Sequence, residues 1–174
     1  MDGRVQVSRR PFAPDLLEND MVPISRATVI ARPTLDAFVD SVIPRDETPG
    51  ALDAGVADAV LATIQSQPEV ARLLETGLEA LERASRAHCG RLFASASTED
   101  RQALLRALAE GREPPGWGPE GPPVGPFWNV ARGLVVRLFY GSPAGWAEVG
   151  FPGPSVDRGG YRHTIVRPNP LGTA

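Results

Sequence analysis

The sequence contains no lysine, one cysteine and only two histidines among its 174 residues. All 18 basic side chains are therefore arginine, which excludes a Schiff-base lysine, a lysine that anchors PLP and the lysine of a phosphate-binding P-loop on this chain. The single cysteine, Cys89, cannot form an internal disulfide. The two histidines, His88 and His163, would need carboxylates to complete a zinc site.

Long apolar runs and a surplus of positive charge are also missing. No run of about 18 apolar residues occurs, so we expect no membrane-spanning helix. The net charge of −3 argues against binding to nucleic acid or to an anionic membrane surface. Hydrophobic residues make up 42% and charged residues 22% of the chain, a composition typical of one globular domain.

Glycine and proline are abundant but unevenly distributed. The chain has 18 of each, and 24 of these 36 residues lie in positions 111–174. This distribution predicts a helical first part and a last third dominated by loops.

The first 33 residues have no sustained hydrophobic period and contain four prolines. We expect residues 1–33 to form an extended arm. Within them, Ser8-Arg9-Arg10-Pro11-Phe12 is similar to a twin-arginine export motif, but the apolar segment that such a signal needs does not follow. The sequence therefore favours a cytoplasmic protein, with a periplasmic or extracellular location beside an exported partner as the alternative.

Four amphipathic helices are predicted between Thr34 and Gly111 from apolar periodicity and end signals. The first runs from a Thr34 cap to the stop at Pro44, the second carries Leu52 to Ile64, the third runs from Pro68 to Gly90, and the fourth runs from the Ser97–Asp100 capping box to Gly111.

A fifth helix is predicted over about residues 126–139. It is apolar almost all round, which is typical of the central helix of a bundle. Beyond Tyr140-Gly141 we expect irregular structure to the end. The fold class is thus all-α: a small bundle of about five helices over 34–140, an N-terminal arm, and a Gly/Pro/aromatic-rich tail over 141–174 that wraps a partner.

The candidate catalytic residues do not form a convincing site. His88 and Cys89 are adjacent on a helix and cannot face each other, and His163 lies in a predicted flexible tail. Asp46 and Glu47 lie in a polar turn, without the cleft that acid–base catalysis needs. The sequence therefore assigns no catalytic, cofactor-binding or metal-binding residue, and an independent enzyme is the least favoured hypothesis.

A binding role fits the last third better. This part holds all three tryptophans and both tyrosines, and interface cores concentrate aromatic and arginine side chains. These rings pack either on the bundle itself or on another protein. We predict that the tail contacts a partner through six residues: Trp146, Phe151, Arg158, Tyr161, Arg162 and Arg167.

Two motifs resemble a known family. The first is Val42-Ile43-Pro44-Arg45-Asp46, followed by Pro49-Gly50-Ala51 and Gly55. The second is Tyr140-Gly141-Ser142, followed by Gly145-Trp146 and Gly150-Phe151-Pro152-Gly153-Pro154. Together, in this order, they are similar to the opening and closing signatures of the gluconate 2-dehydrogenase subunit 3 family over about residues 34–154. We expect the prolines and glycines of both motifs to be structural.

The resemblance implies a small, non-catalytic subunit bound to a large FAD-dependent dehydrogenase or oxidase of the glucose–methanol–choline type. Such a partner oxidises a sugar, a sugar acid or a polyol and often passes electrons to a cytochrome c. The resemblance places FAD on the partner and no cofactor on this chain, which has no Cys-x-x-Cys-His haem motif. The alternative is a helical adaptor or chaperone that is released after the partner matures.

Overall fold

The computed structural model describes residues 30–154, and these form an all-α fold with six α-helices and one short 3₁₀-helix. Within this range there is no β-strand. The α-helices are α1 (Arg32–Val42), α2 (Val56–Ile64), α3 (Pro68–Cys89), α4 (Thr98–Ala109), α5 (Val124–Tyr140) and α6 (Pro143–Glu148), and the 3₁₀-helix covers Phe93–Ser95. The predicted fold class is confirmed, whereas most of the predicted arm, residues 1–29, lies outside the described part.

Helix α1 begins two residues earlier than predicted. Arg32 and Pro33 form its first turn, because a proline there loses no intrahelical hydrogen bond. Thr34 is therefore not the cap. Its buried hydroxyl donates instead to the Glu82 carboxylate of α3 at 2.5 Å, and the same carboxylate accepts the Phe93 backbone N–H at 3.1 Å. Glu82 thus ties α1 and the 3₁₀-helix to α3.

The other predicted end signals are mostly confirmed. Pro68 lies in the first turn of α3, Gly90 ends that helix with a φ of +73°, and the Ser97 hydroxyl accepts the Asp100 N–H at the start of α4. Leu52 was predicted to belong to the second helix, and this is wrong. Leu52 is exposed in a turn before α2. The helix begins only at Val56, because Gly55, its N-cap residue, has a φ of +73° and is not helical.

Helix α5 is the centre of the fold, as its all-round apolar sequence predicts. It contacts each of the other five α-helices. Phe127 is fully buried, and its ring lies directly over Gly77 of α3. A Cβ at position 77 would lie 2.0 Å from the ring, so the two helices approach this closely only because residue 77 is glycine.

The glycine- and proline-rich loop before α5 covers the protein's own core. Trp117 is 1% exposed, its ring centroid lies 5.5 Å from that of Phe127, and its Nε1 donates to the Pro122 carbonyl at 2.9 Å. The Arg83 guanidinium of α3 donates to the Trp117 carbonyl at 3.0 Å. The sequence left open whether the late aromatic rings pack on the bundle or on a partner. The Trp117 ring packs in the bundle.

The prediction of irregular structure directly after Gly141 is wrong, because α6 follows two residues later. Ser142 is the N-cap of this helix, and Pro143 lies in its first turn. These start signals do not depend on hydrophobic periodicity, which predicted the other helices. Within residues 30–154, no helix is both long enough and apolar enough to cross a membrane.

Candidate partner-binding surface

The second sequence motif builds a compact corner between α5 and α6. The Ser142 hydroxyl donates to the Phe139 carbonyl at 2.6 Å and accepts the Gly145 N–H at 3.4 Å. Gly145 is buried against the end of α5, and a Cβ there would lie 2.3 Å from the Phe139 carbonyl oxygen. Only glycine allows α6 to turn back this tightly, so Tyr140-Gly141-Ser142 and Gly145 form one structural unit.

Two aromatic rings pack together after this corner. The Trp146 and Phe151 rings lie edge to face, with centroids 5.9 Å apart and an interplanar angle of 86°. The Phe151 N–H donates to the Trp146 carbonyl at 2.8 Å, which closes the turn after α6. Gly153 has a φ of +88° and lies against the Trp146 ring. A Cβ on this residue would be 3.4 Å from the nearest ring atom, which is an ordinary van der Waals contact. The backbone at Gly153 therefore returns to the indole of Trp146.

Large apolar side chains remain exposed around this pair. Tyr140 is 41% exposed, Phe151 is 43% exposed and Val149 is 60% exposed, while Trp146 is half-buried. We call these four residues the α6 surface. The residues described contain five large exposed hydrophobic side chains, and three of them belong to this surface. Clusters of this kind mark interaction sites more often than single exposed side chains do.

The six predicted interface residues are divided by the structure. Trp146 and Phe151 are brought into contact with each other, with Trp146 half-buried and Phe151 exposed. Arg158, Tyr161, Arg162 and Arg167 lie outside the described residues, so their predicted role stays a prediction. Sequence reasoning missed Val149, because a single valine in a glycine-rich segment carries no periodic signal.

The first motif builds a second corner, between α1 and α2. Ala51 N–H donates to the Ile43 carbonyl at 2.9 Å, which folds the chain back onto the end of α1. A Cβ on Gly50 would lie 2.6 Å from the Arg45 backbone nitrogen. The φ of Gly50 is not in the left-handed region, so the glycine is needed for close approach and not for a positive φ. Pro44 and Pro49 flank this turn and are exposed.

Polar contacts hold the same turn. Asp46 accepts hydrogen bonds from the Thr48 backbone N–H at 2.8 Å and from the Thr48 hydroxyl at 2.9 Å. These bonds stabilise the ionised carboxylate and lower the pKa of Asp46. Asp53 accepts the Gly50 N–H at 3.1 Å and lies 3.2 Å from the Arg45 guanidinium. The acids of this turn therefore bind their own backbone, which is a structural role.

His88 and Cys89 have separate partners. His88 is exposed, and its Nε2 lies 3.3 Å from the Asp100 Oδ1 atom of α4. The Cys89 thiol donates to the Ser85 carbonyl at 3.3 Å on its own helix. The pKa of Asp100 is lowered, first by the hydrogen bond from the Ser97 hydroxyl and then by the nearby His88. Among residues 30–154, no three His, Cys, Asp or Glu side chains are grouped to hold a metal ion.

The comparison with protein families identifies one match. The family model described as Gluconate 2-dehydrogenase subunit 3 matches residues 31–153, which include all six helices and both corners. Searches of curated proteins and of solved structures each returned no significant match.

Proposed function

The chain belongs to the gluconate 2-dehydrogenase subunit 3 family, and from this premise we propose that it is a non-catalytic small subunit of a dehydrogenase complex. Its partner is a large FAD-dependent dehydrogenase or oxidase of the glucose–methanol–choline type that acts on a sugar, a sugar acid or a polyol. The small subunit binds, stabilises and supports the maturation of that flavoprotein. A cytochrome c is the electron acceptor that this assignment suggests.

The observation that carries the proposal is the α6 surface. Its aromatic side chains are held rigidly by the Ser142 cap and by the close approach of Gly145, yet they remain partly exposed. Rigid aromatic side chains give a large contact area and lose little conformational entropy on binding. Exposed rings held in this way are suited to the core of a protein interface.

We assign the FAD to the large subunit. The interior of residues 30–154 is filled by aliphatic and aromatic side chains, and every buried side-chain nitrogen or oxygen in this range already has a hydrogen-bond partner. An interior that is filled and whose polar side chains are already paired supports this assignment, because the ring and phosphates of a flavin need polar groups that are free to bind them.

Co-expression with a large flavoprotein dehydrogenase from the same genome tests the proposal. We expect the two chains to co-elute in a fixed ratio, with one FAD spectrum and activity on a panel of sugars and polyols. Expression of the large chain alone should give less flavin per polypeptide. If the flavoprotein is fully loaded and active but elutes without this chain, the alternative of a released chaperone replaces the permanent subunit.

A matched pair of substitutions locates the contact. Phe151→Ala removes a ring of the α6 surface and should weaken the complex by about 2 kcal/mol, which is typical of an interface hot spot. Leu92→Ala is the control, because Leu92 is equally exposed (46%) but lies beside the 3₁₀-helix. Isothermal titration of the purified large subunit measures both. Equal affinities for the two variants would contradict the assignment of the surface.

Truncation after Pro154 tests the remaining interface prediction. The shortened chain keeps α1–α6 and should still give the far-UV spectrum of a folded helical domain. If Arg158, Tyr161, Arg162 and Arg167 contact the partner, the shortened chain should bind it at least about 2 kcal/mol more weakly. If the shortened chain binds as tightly as the full chain, the four tail residues are not part of the interface, and the α6 surface remains as the proposed contact.

A further inference from the structure

A groove lies where α1, α4 and α5 meet. It has a volume of about 230 Å³. Its lining comes from the end of α1, one face of α4 and the first half of α5, and the side chains are Ser41, Val42, Gln102, Leu105, Arg106, Ala109, Trp128 and Arg132. We call it the arginine groove, after Arg106 and Arg132.

Within residues 30–154, the two arginines of the groove have no acidic partner. Neither the Arg106 nor the Arg132 side chain makes an ion pair or a hydrogen bond within this range, and both residues are exposed. Four other arginines in the same range, Arg32, Arg45, Arg101 and Arg112, are paired with carboxylates. None of the described residues that line the groove is acidic. The groove is thus a local positive site on a chain whose net charge is −3.

The rest of the lining combines the polar side chains of Ser41 and Gln102 with an apolar wall formed by Val42, Leu105, Ala109 and Trp128. Trp128 is half-buried, and its ring lies edge to face with the fully buried Phe38 ring, with centroids 6.4 Å apart. Arg132 follows Trp128 by one helical turn, so both side chains extend from the same face of α5. The Gln102 side chain donates to the Ser41 carbonyl at 2.9 Å and joins α4 to α1. A ligand therefore meets two cationic forks beside a fixed apolar wall.

We propose that the arginine groove binds an acidic side chain of the partner subunit, and that it forms a second contact site beside the α6 surface. A guanidinium binds a carboxylate through two parallel hydrogen bonds, and here two guanidinium groups from different helices are available to one anion. The apolar wall accommodates the aliphatic stem of an aspartate or glutamate and its neighbours. The chemistry thus selects an acidic protein segment.

The position of the groove supports this choice of ligand. Arg132 and Tyr140 belong to the same helix, and eight residues of α-helix correspond to a rise of about 12 Å and a net rotation of about 80°. A standard interface buries about 800 Å² on each partner, which corresponds to a patch about 30 Å across. One partner can therefore cover the groove and the α6 surface together. The inference rests on the proposed function, because it takes the large subunit as that partner.

Titration of the purified large subunit with charge-neutralised variants tests the groove. Arg106→Gln and Arg132→Gln should each raise the dissociation constant about five- to tenfold, and each should reduce its dependence on salt. Arg91→Gln is the matched control, because Arg91 is also exposed and unpaired within the described residues but lies just beyond α3. It should bind like the wild type. Far-UV circular dichroism checks that all three variants are folded.

Chemical modification of the wild-type protein gives an independent measurement. Phenylglyoxal modifies accessible guanidinium groups, and peptide mass spectrometry identifies which arginines react. Arg106 and Arg132 should react in the free chain and be protected in the complex, while Arg91 should react in both.

The outcomes separate the groove from the proposed function. If the wild type does not bind the large subunit, both proposals are overturned. If the wild type binds but Arg106→Gln and Arg132→Gln bind equally well, or both arginines stay reactive in the complex, only the groove is overturned. If millimolar sodium glutarate protects both arginines in the free chain but the large subunit does not protect them in the complex, the groove is a site for a small carboxylate and the protein contact is overturned.

Discussion

Gly77 and Gly133 provide a test of how α3 and α5 pack, because the same substitution should have opposite effects at the two positions. Both glycines lie inside helices, where alanine is favoured by about 1 kcal/mol. Gly77 is buried under the Phe127 ring, while Gly133 is exposed and a Cβ there would have no neighbour within 4 Å. Any difference between the two variants therefore comes from packing.

The magnitude follows from the distance to the ring. A Cβ on residue 77 would lie 2.0 Å from Phe127 Cδ2 and 2.2 Å from Cε2, and the ring is itself held between Phe38 and Trp117. Overpacking of a tight core costs about 1–3 kcal/mol, and more where nothing can move. After the gain in helix propensity, we expect Gly77→Ala to lower the free energy of unfolding by about 2 kcal/mol.

Urea and thermal unfolding followed by circular dichroism measure the effect. For a chain of this size, about 2 kcal/mol corresponds to a fall of about 4–8 °C in Tm. Gly133→Ala should instead raise the free energy of unfolding by about 0.5–1 kcal/mol. The reasoning is refuted if Gly77→Ala is as stable as the wild type, because α5 would then not lie as close to α3 as the structure has it.

Three further predictions concern the corners and the start of α4. Gly50→Ala should lower the free energy of unfolding by about 1–3 kcal/mol in urea titration, because its Cβ would overlap the Arg45 backbone, and an unchanged midpoint would contradict this. Ser142→Ala should lower it by about 1 kcal/mol through loss of the α6 cap and should also weaken partner binding, whereas Ser95→Ala, an exposed serine outside the cap positions, should do neither. The lowered pKa of Asp100 adds stability that is present above the ordinary carboxyl pKa of 3.8 and lost as pH falls through the lower folded value. Unfolding midpoints measured from neutral to acidic pH should therefore fall less for Asp100→Asn than for the wild type, and parallel curves would contradict the role of Asp100.

Local signals in the sequence predicted most of the helices. The Ser97 cap, the Gly90 terminus and the first-turn proline at position 68 act within one helical turn, so they can be recognised without knowing what the helix packs against. The all-round apolar sequence of α5 likewise predicted its central position. Helix α6 has comparable start signals, but its six residues are too few to show a hydrophobic period.

The candidate surface was predicted only in part. The sequence identified Trp146 and Phe151 as contact residues and Gly145 and Gly153 as parts of a motif. The sequence did not predict that these glycines fix the positions of the two partly exposed rings. Those positions depend on how closely α6 approaches the end of α5. Trp117 shows the opposite outcome. It has the same glycine- and proline-rich surroundings, yet it is buried in the core.

Residue types and their spacing were enough to predict a helical bundle without lysine chemistry, with its aromatic side chains concentrated late in the chain. These properties are local, so they do not depend on how the helices pack. Packing, in contrast, establishes which glycines are required for close approach, which tryptophan is buried, and that Arg106 and Arg132 share one groove with the end of α1. These contacts join residues that are tens of positions apart, and the packing of α5 against all the other helices brings them together.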